Sequence, residues 1–361
     1  MSYPFDPKMD EILALTRAGK LADATAMIQR SLGASGSEQP STKVPIDIRP
    51  HGPLALPGPI DLRRPCEPEA RAARSPVAGQ GSGRRSFRGA AGSLEYLLHL
   101  PSHGDEPMPL VIMLHGCTQS AEDFARGTKM NALADELGFI VAYPEQTKSA
   151  NMQKCWNWFR QSDQSKASGE PAVIAGITRE IIANHPVDPG RVYVAGLSAG
   201  GAAAAIMAHA FPDIYAAAGI HSGLACGSAK DLPGAFAAMQ GNGQRHRPTA
   251  RQTYVPIITF HGDRDSTVHP TNSDQIHAAW ESMPAIAGLE RKIADGKSQS
   301  GSSYRKIVIL NADGRSMSES WSLKGAGHAW SGGSPTGSYT YPQGPDASRE
   351  MLRFFLQHRL E

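Results

Sequence analysis

Five short, nearly unbroken apolar runs recur in the later three quarters of the chain: PLVIML at 109–114, GFIVAY at 138–143, RVYVAG at 191–196, VPIITF at 255–260 and KIVIL at 306–310. Runs this short, bounded by turn formers, predict strands buried on both faces. Between them apolar positions return at helical spacing, which predicts helices over 121–137, 171–184, 199–211, 272–283 and 347–358. Strand and helix in alternation predict an α/β architecture, a mostly parallel sheet with helices on both faces.

The chain ahead of this region follows a different pattern. From about residue 7 to 32, Ile12, Leu13, Leu15, Leu21, Ala24, Ile28 and Leu32 recur at helical spacing beside a polar face, predicting one amphipathic helix or a hairpin broken near Gly19. Residues 33–92 are rich in Pro, Gly, Ser and Arg and read as linker. The expected organisation is a helical segment at 1–32, a linker at 33–92 and a catalytic domain at 93–361.

Composition narrows the partners. Lys and Arg number 36 against 34 Asp and Glu, a net charge of +2, so no field argues for nucleic acid or an anionic membrane. No run of 18 apolar residues predicts a transmembrane span, and the N-terminus lacks a basic segment followed by an apolar stretch. No signal peptide is expected, and the compartment indicated is the cytoplasm. The four cysteines, Cys66, Cys117, Cys155 and Cys226, are too few for a disulfide scaffold and match no zinc spacing. Taken alone they read as reduced and buried.

Chemistry enters at Gly196-Leu197-Ser198-Ala199-Gly200, between the strand RVYVAG and the alanine-rich helix. Strand, G-x-S-x-G turn and helix make the nucleophile elbow of an α/β-hydrolase, with Ser198 at a helix N-terminus. A serine hydroxyl needs a base that is itself held by a carboxylate, in this fold in the order Ser, Asp or Glu, His. The segment HGDRDSTVHP follows a predicted strand and offers Asp263 and Asp265; Asp265 is favoured for its longer reach. The base indicated is His328, in the glycine-flanked loop GAGHAWSGG, ahead of His261 and His269, which sit too close to the carboxylates in sequence. Two backbone N–H groups should receive the oxyanion, those of Ala199 and, from the His115-Gly116 turn, Cys117. The aromatic segment NMQKCWNWF, with Trp156 and Trp158, together with Trp330 beside the histidine, suggests a hydrophobic substrate lining.

Together LHGCTQSAEDF, GFIVAYPEQ, CWNWF, VYVAGLSAGGA, HGDRDSTVHP and GAGHAWSGG resemble the poly(3-hydroxybutyrate) depolymerase family of esterases, which also takes in feruloyl and acetylxylan esterases. The resemblance runs from about Ser93 to the C-terminus. It implies a Ser198, Asp265, His328 triad, a disulfide between Cys117 and Cys155, and hydrolysis of poly(3-hydroxybutyrate) or its oligomers. Feruloyl or acetylxylan ester cleavage is the alternative, and a non-catalytic binding protein of the same fold the remote one. No cofactor or metal is expected; His261, Asp263, Asp265 and His269 are better explained by the triad. Many relatives of this kind are secreted, which makes an extracellular location the alternative to the cytoplasm. The apolar face of the N-terminal helix is the candidate contact with a polymer granule.

Overall fold

The apolar runs form the middle of the sheet. The computed structural model describes residues 82–102, 106–244, 255–282 and 289–361; the expected helix at 7–32 and most of the expected linker lie outside the described residues. Ten strands form the main sheet: β1 Gly83–Gly89, β2 Gly92–His99, β3 Met108–Leu114, β4 Ile140–Glu145, β5 Val187–Leu197, β6 Ala217–His221, β7 Ile257–Gly262, β8 Glu290–Lys297, β9 Ser303–Leu310 and β10 Ser316–Leu323. A short pair, β11 Trp330–Ser331 and β12 Thr340–Tyr341, stands apart. The helices are α1 Ala121–Thr128, α2 Met130–Leu137, α3 Gly169–Asn184, α4 Ala199–Ala210, α5 Leu232–Ala237, α6 Thr271–Glu281 and α7 Ala347–Phe355.

Strand order in the main sheet is β1-β2-β4-β3-β5-β6-β7-β10-β9-β8. From β4 through β10 neighbouring strands run parallel. Antiparallel pairs close both edges. All seven residues of β3 and all five of β6 are buried, as strands covered by helices on both sides require. Two apolar cores follow, one per face of the sheet. One is built on α3 and α4 with Ile112, Ile174, Val194 and Ile206; the other on α1, α2 and α7 with Val111, Tyr193, Phe260 and Phe355. The α/β-hydrolase expectation is met.

Several boundaries differ from expectation. The sheet begins at Gly83, inside the stretch read as linker. Strand β1 is an edge strand with mostly exposed positions, so it lacks an apolar run; its Phe87 packs on α3 at Gly176, and Arg84 pairs with Glu95, Glu122 and Glu145 at 2.6–3.1 Å. Strand β6 was not anticipated, because AAGIH is short and alanine-rich. The helix expected over 121–137 is two helices, broken at Lys129 in the left-handed region (φ 57°). The carbonyls of Gly127 and Thr128, which a continuous helix would use, accept instead from Ser334 N–H (2.8 Å) and Ser348 Oγ–H (2.6 Å).

Candidate active site

Three strand ends bring the candidate residues to one edge of the sheet. Strand β5 ends at Leu197, and Ser198 follows with φ 59° and ψ −120°, a conformation an L-residue holds only under strain. Gly196 and Gly200 make so tight a bend feasible. A Cβ on Gly196 would stand 2.2 Å from Gly200 O, and one on Gly200 2.0 Å from Leu114 O. The hydroxyl of Ser198 therefore leaves the sheet edge at the N-terminus of α4.

Asp265 and His328 meet. His328 Nδ1–H donates to Asp265 Oδ2 at 2.7 Å, while Asp265 Oδ1 accepts from the amides of Thr267 (2.9 Å) and Val268 (2.8 Å). Burial alone would raise the Asp265 carboxyl. The histidines His261 and His328 and the Val268 amide outweigh it and hold the group well below the usual carboxylate range. His261 Nε2 lies 3.5 Å from Asp265 Oδ2, and its shorter bond, 2.8 Å, goes to Val268 O. Asp263, the other candidate carboxylate, accepts from Gly325 N–H at 2.7 Å and faces Lys324. It shapes the histidine loop from outside.

The loop carrying His328 is tied to the elbow through a residue the sequence did not single out. Ser198 N–H donates to His221 O (2.9 Å) at the end of β6, and His221 Nε2 accepts from Ser331 N–H (3.0 Å) beyond His328. The His221 ring is buried between Phe260 and Trp330, with centroids 5.8 and 5.1 Å away, and burial keeps it neutral by driving its pKa well down. Only a neutral ring leaves Nε2 free to accept that bond.

The expected oxyanion loop, between β3 and α1, stands against the elbow: a Cβ on Gly116 would lie 3.6 Å from Ser198 Cβ. The amides of Gly116 and Thr118 are taken by Gln119 Oε1 (2.9 Å) and Gln153 O (2.6 Å), whereas Cys117 N–H has no acceptor among the described residues. Ala199 N–H, first in α4, has none within its helix by construction. His115 fixes the loop from below. Its Nδ1–H donates to Gly116 O (2.7 Å), its Nε2 accepts from Gln146 N–H (3.1 Å), and burial pushes its pKa down to about 4. A trans peptide points C=O and N–H opposite ways. With Gly116 O held by His115, Cys117 N–H is turned to the other side. Cys117 is disulfide-bonded to Cys155, so these two are not the reduced cysteines expected from spacing; Cys226 is free.

The three tryptophans expected to line a substrate surface are buried. Trp156 and Trp330 are closed to solvent and Trp158 nearly so. Their indoles are used in holding loops: Trp156 Nε1–H donates to His115 O (3.1 Å) and Trp330 Nε1–H to Ser348 Oγ (3.0 Å), while Trp158 packs edge-on against Phe159. In this structure they lie in the core and offer little surface to a ligand. Gln119 and Tyr339 were also unanticipated. Gln119 Nε2–H reaches Ser338 O (3.2 Å) and Tyr339 OH meets Thr118 Oγ1 (3.1 Å), which joins the oxyanion loop to the segment following His328. Gln119, three residues after Gly116 in a tight loop, was the nearest thing to a signal.

Residues 94–289 match the family model described as esterase PHB depolymerase. Among curated relatives, poly(3-hydroxyalkanoate) depolymerase C of Paucimonas lemoignei is 32% identical over 249 residues, covering 66% of this chain and 58% of that protein. Feruloyl esterase B of Thermothelomyces thermophilus is 27% identical over 211 residues, 54% of this chain and 72% of that one. The chain thus spans little more than half the length of the depolymerase it matches. Among solved structures an acetyl xylan esterase from Aspergillus awamori shares the fold, with a TM-score of 0.60 at 18% identity over 76% of this chain and 99% of that one.

Proposed function

The chain belongs to the esterase PHB depolymerase family, and from that footing we propose that it is a serine hydrolase of carboxylic esters whose substrate is poly(3-hydroxybutyrate) or its oligomers. The observation that carries the chemistry is the buried, ionised Asp265 bonded to His328 Nδ1, on a loop tied through His221 to the elbow that holds a strained Ser198. In this reading His328 Nε2 takes the Ser198 proton as Oγ attacks the ester carbonyl, and the oxyanion forms against the Cys117 and Ala199 amides. The tetrahedral intermediate expels the alcohol, which leaves with the proton from His328. Water then attacks the acyl-Ser198, giving its proton to His328; collapse releases the acid and returns the proton to Ser198 Oγ. Asp265, acceptor-only throughout, keeps the imidazole in the tautomer that presents Nε2 and stabilises its cation.

Polyester is put ahead of feruloyl or acetylxylan esters because the relative with the higher identity over the longer span is a polyhydroxyalkanoate depolymerase. The amphipathic pattern at 7–32 supports a second proposal, adsorption of that segment to the polymer surface. The Cys117–Cys155 bond supports an extracellular compartment over the cytoplasm, since such bonds persist where surroundings are oxidising. Among the described residues no helix is long and apolar enough to cross a membrane. Product release from 3-hydroxybutyrate trimer, methyl ferulate and acetylated xylan tests the substrate. Turnover of the trimer should exceed the other two by at least about tenfold in kcat/KM, the scale on which pockets separate such different acyl groups. A preference for ferulate or acetylxylan would overturn the polyester reading.

A further inference from the structure

Beside the oxyanion loop lies an open groove of about 710 Å³ with residues 150–153 and 159–162 on one side and 230–232 on the other. Its position follows from topology. The first wall follows β4 and the second follows β6, and in the sheet β3 and β5 stand between these strands. The carboxyl ends of β3 and β5 carry Cys117 and Ser198. The first wall is also joined directly to the oxyanion loop, through Thr118 N–H to Gln153 O and through the Cys117–Cys155 bond.

The lining has two characters. Met152 (84% exposed) and Leu232 (49%) put apolar surface on the rims, and Phe236 (52%), one helical turn beyond Leu232, extends it. Such exposed apolar surface grouped beside a reacting centre marks a contact face. The groove also holds two exposed cations, Arg160 and Lys230, neither with an ion-pair partner among the described residues. The acid beside them, Asp231, has its Oδ1 turned to Gly234 N–H as the N-cap of α5.

Apolar walls with a net positive charge suit a ligand that is itself apolar along its length and anionic at one end. We propose that this groove binds the carboxylate-terminated portion of a linear oligoester, with Arg160 and Lys230 pairing to the terminal carboxylate and Met152, Phe159 and Leu232 contacting the chain. This deepens the polyester reading and rests on it. It makes soluble, free-acid oligomers preferred substrates over the same chains with a blocked end.

The test compares 3-hydroxybutyrate trimer as the free acid and as its methyl ester, using the full chain and the double variant Arg160→Met, Lys230→Met. The wild type should favour the free acid by about fivefold in kcat/KM, the scale of a partly exposed charge pair. The preference should shrink on adding 0.5 M sodium chloride, which screens such pairs at about 4–5 Å, and vanish in the variant. Because the readout is a ratio within one protein sample, a general loss of folding cancels. Equal rates on both trimers in the wild type, or a preference that survives in the variant, would overturn the groove assignment and leave the polyester reading standing. Hydrolysis of p-nitrophenyl acetate with neither trimer cleaved would overturn the polyester reading and this assignment together.

Discussion

At the residue scale the proposed chemistry depends on which groups can be charged. Asp265 is buried and bonded by three donors, so it stays a carboxylate and fixes the His328 tautomer. Asp265→Asn replaces that acceptor with a group that can favour the wrong tautomer, and kcat on p-nitrophenyl acetate should fall by about 10⁴-fold. Asp263→Asn, outside the pair, should cost less than about tenfold; the reverse order would move the triad carboxylate to Asp263. Buried histidines make a second prediction. His115, His277 and His358 are each held down to about 4 by burial, and His221 lower still. The folded protein keeps them neutral while unfolded chains take up protons below about pH 6.5. The unfolded state therefore binds more protons as pH falls, and stability present above pH 6.5 is lost progressively toward pH 4. His115 alone contributes up to roughly 3 kcal/mol of this. Urea midpoints at pH 7.0 and 4.5 should show the loss, and a smaller one in His115→Asn; an equal loss in that variant would show that His115 is not held neutral.

At the element scale the proposed oxyanion loop is a strand-to-helix connection clamped at several points: by His115, by Gln119, by Thr118 to Tyr339, and by the disulfide to the segment after β4. The disulfide spans 38 residues, and closing that loop is worth up to about 4 kcal/mol by chain entropy. Cys155→Ser should lower the thermal midpoint and reduce kcat by about tenfold or more with little change in KM, since an oxyanion donor acts in the transition state. A rise in KM alone would mean the loop serves binding. These elements differ in how legible they were. Strands β3, β5 and β7 declare themselves as apolar runs, and Ser198 by its glycines. His328 was legible through chain order and a glycine-rich loop. Strand β6 was not, because alanine and glycine make a strand here only through burial from both sides. The break at Lys129 was hidden because its cause, Ser334 and Ser348 taking two helix carbonyls, lies more than 200 residues away. The burial of the tryptophans was not legible for a related reason: an aromatic cluster near a motif has the same sequence whether it lines a site or supports it from the core.

On the scale of the whole molecule, the candidate catalytic edge is assembled from four strand ends, those of β3, β5, β7 and β10, with β6 passing between the elbow and the carboxylate. The described residues belong to one compact unit, 72–361. If the amphipathic segment at 7–32 serves polymer adsorption, deleting residues 1–60 should reduce sedimentation with poly(3-hydroxybutyrate) granules several-fold and leave trimer hydrolysis within about twofold; unchanged sedimentation would remove that role. The central claim, a single serine driven by the Asp265–His328 pair, has a direct test in covalent capture. Wild type and Ser198→Ala are treated with a fluorophosphonate, the labelled peptide is identified by mass spectrometry, and p-nitrophenyl acetate turnover is followed alongside. The expected result is one label, on Ser198, in the wild type, no label in the variant, and a fall in kcat of at least about 10⁴-fold. A variant that still takes the label and turns over ester at the wild-type rate would contradict it.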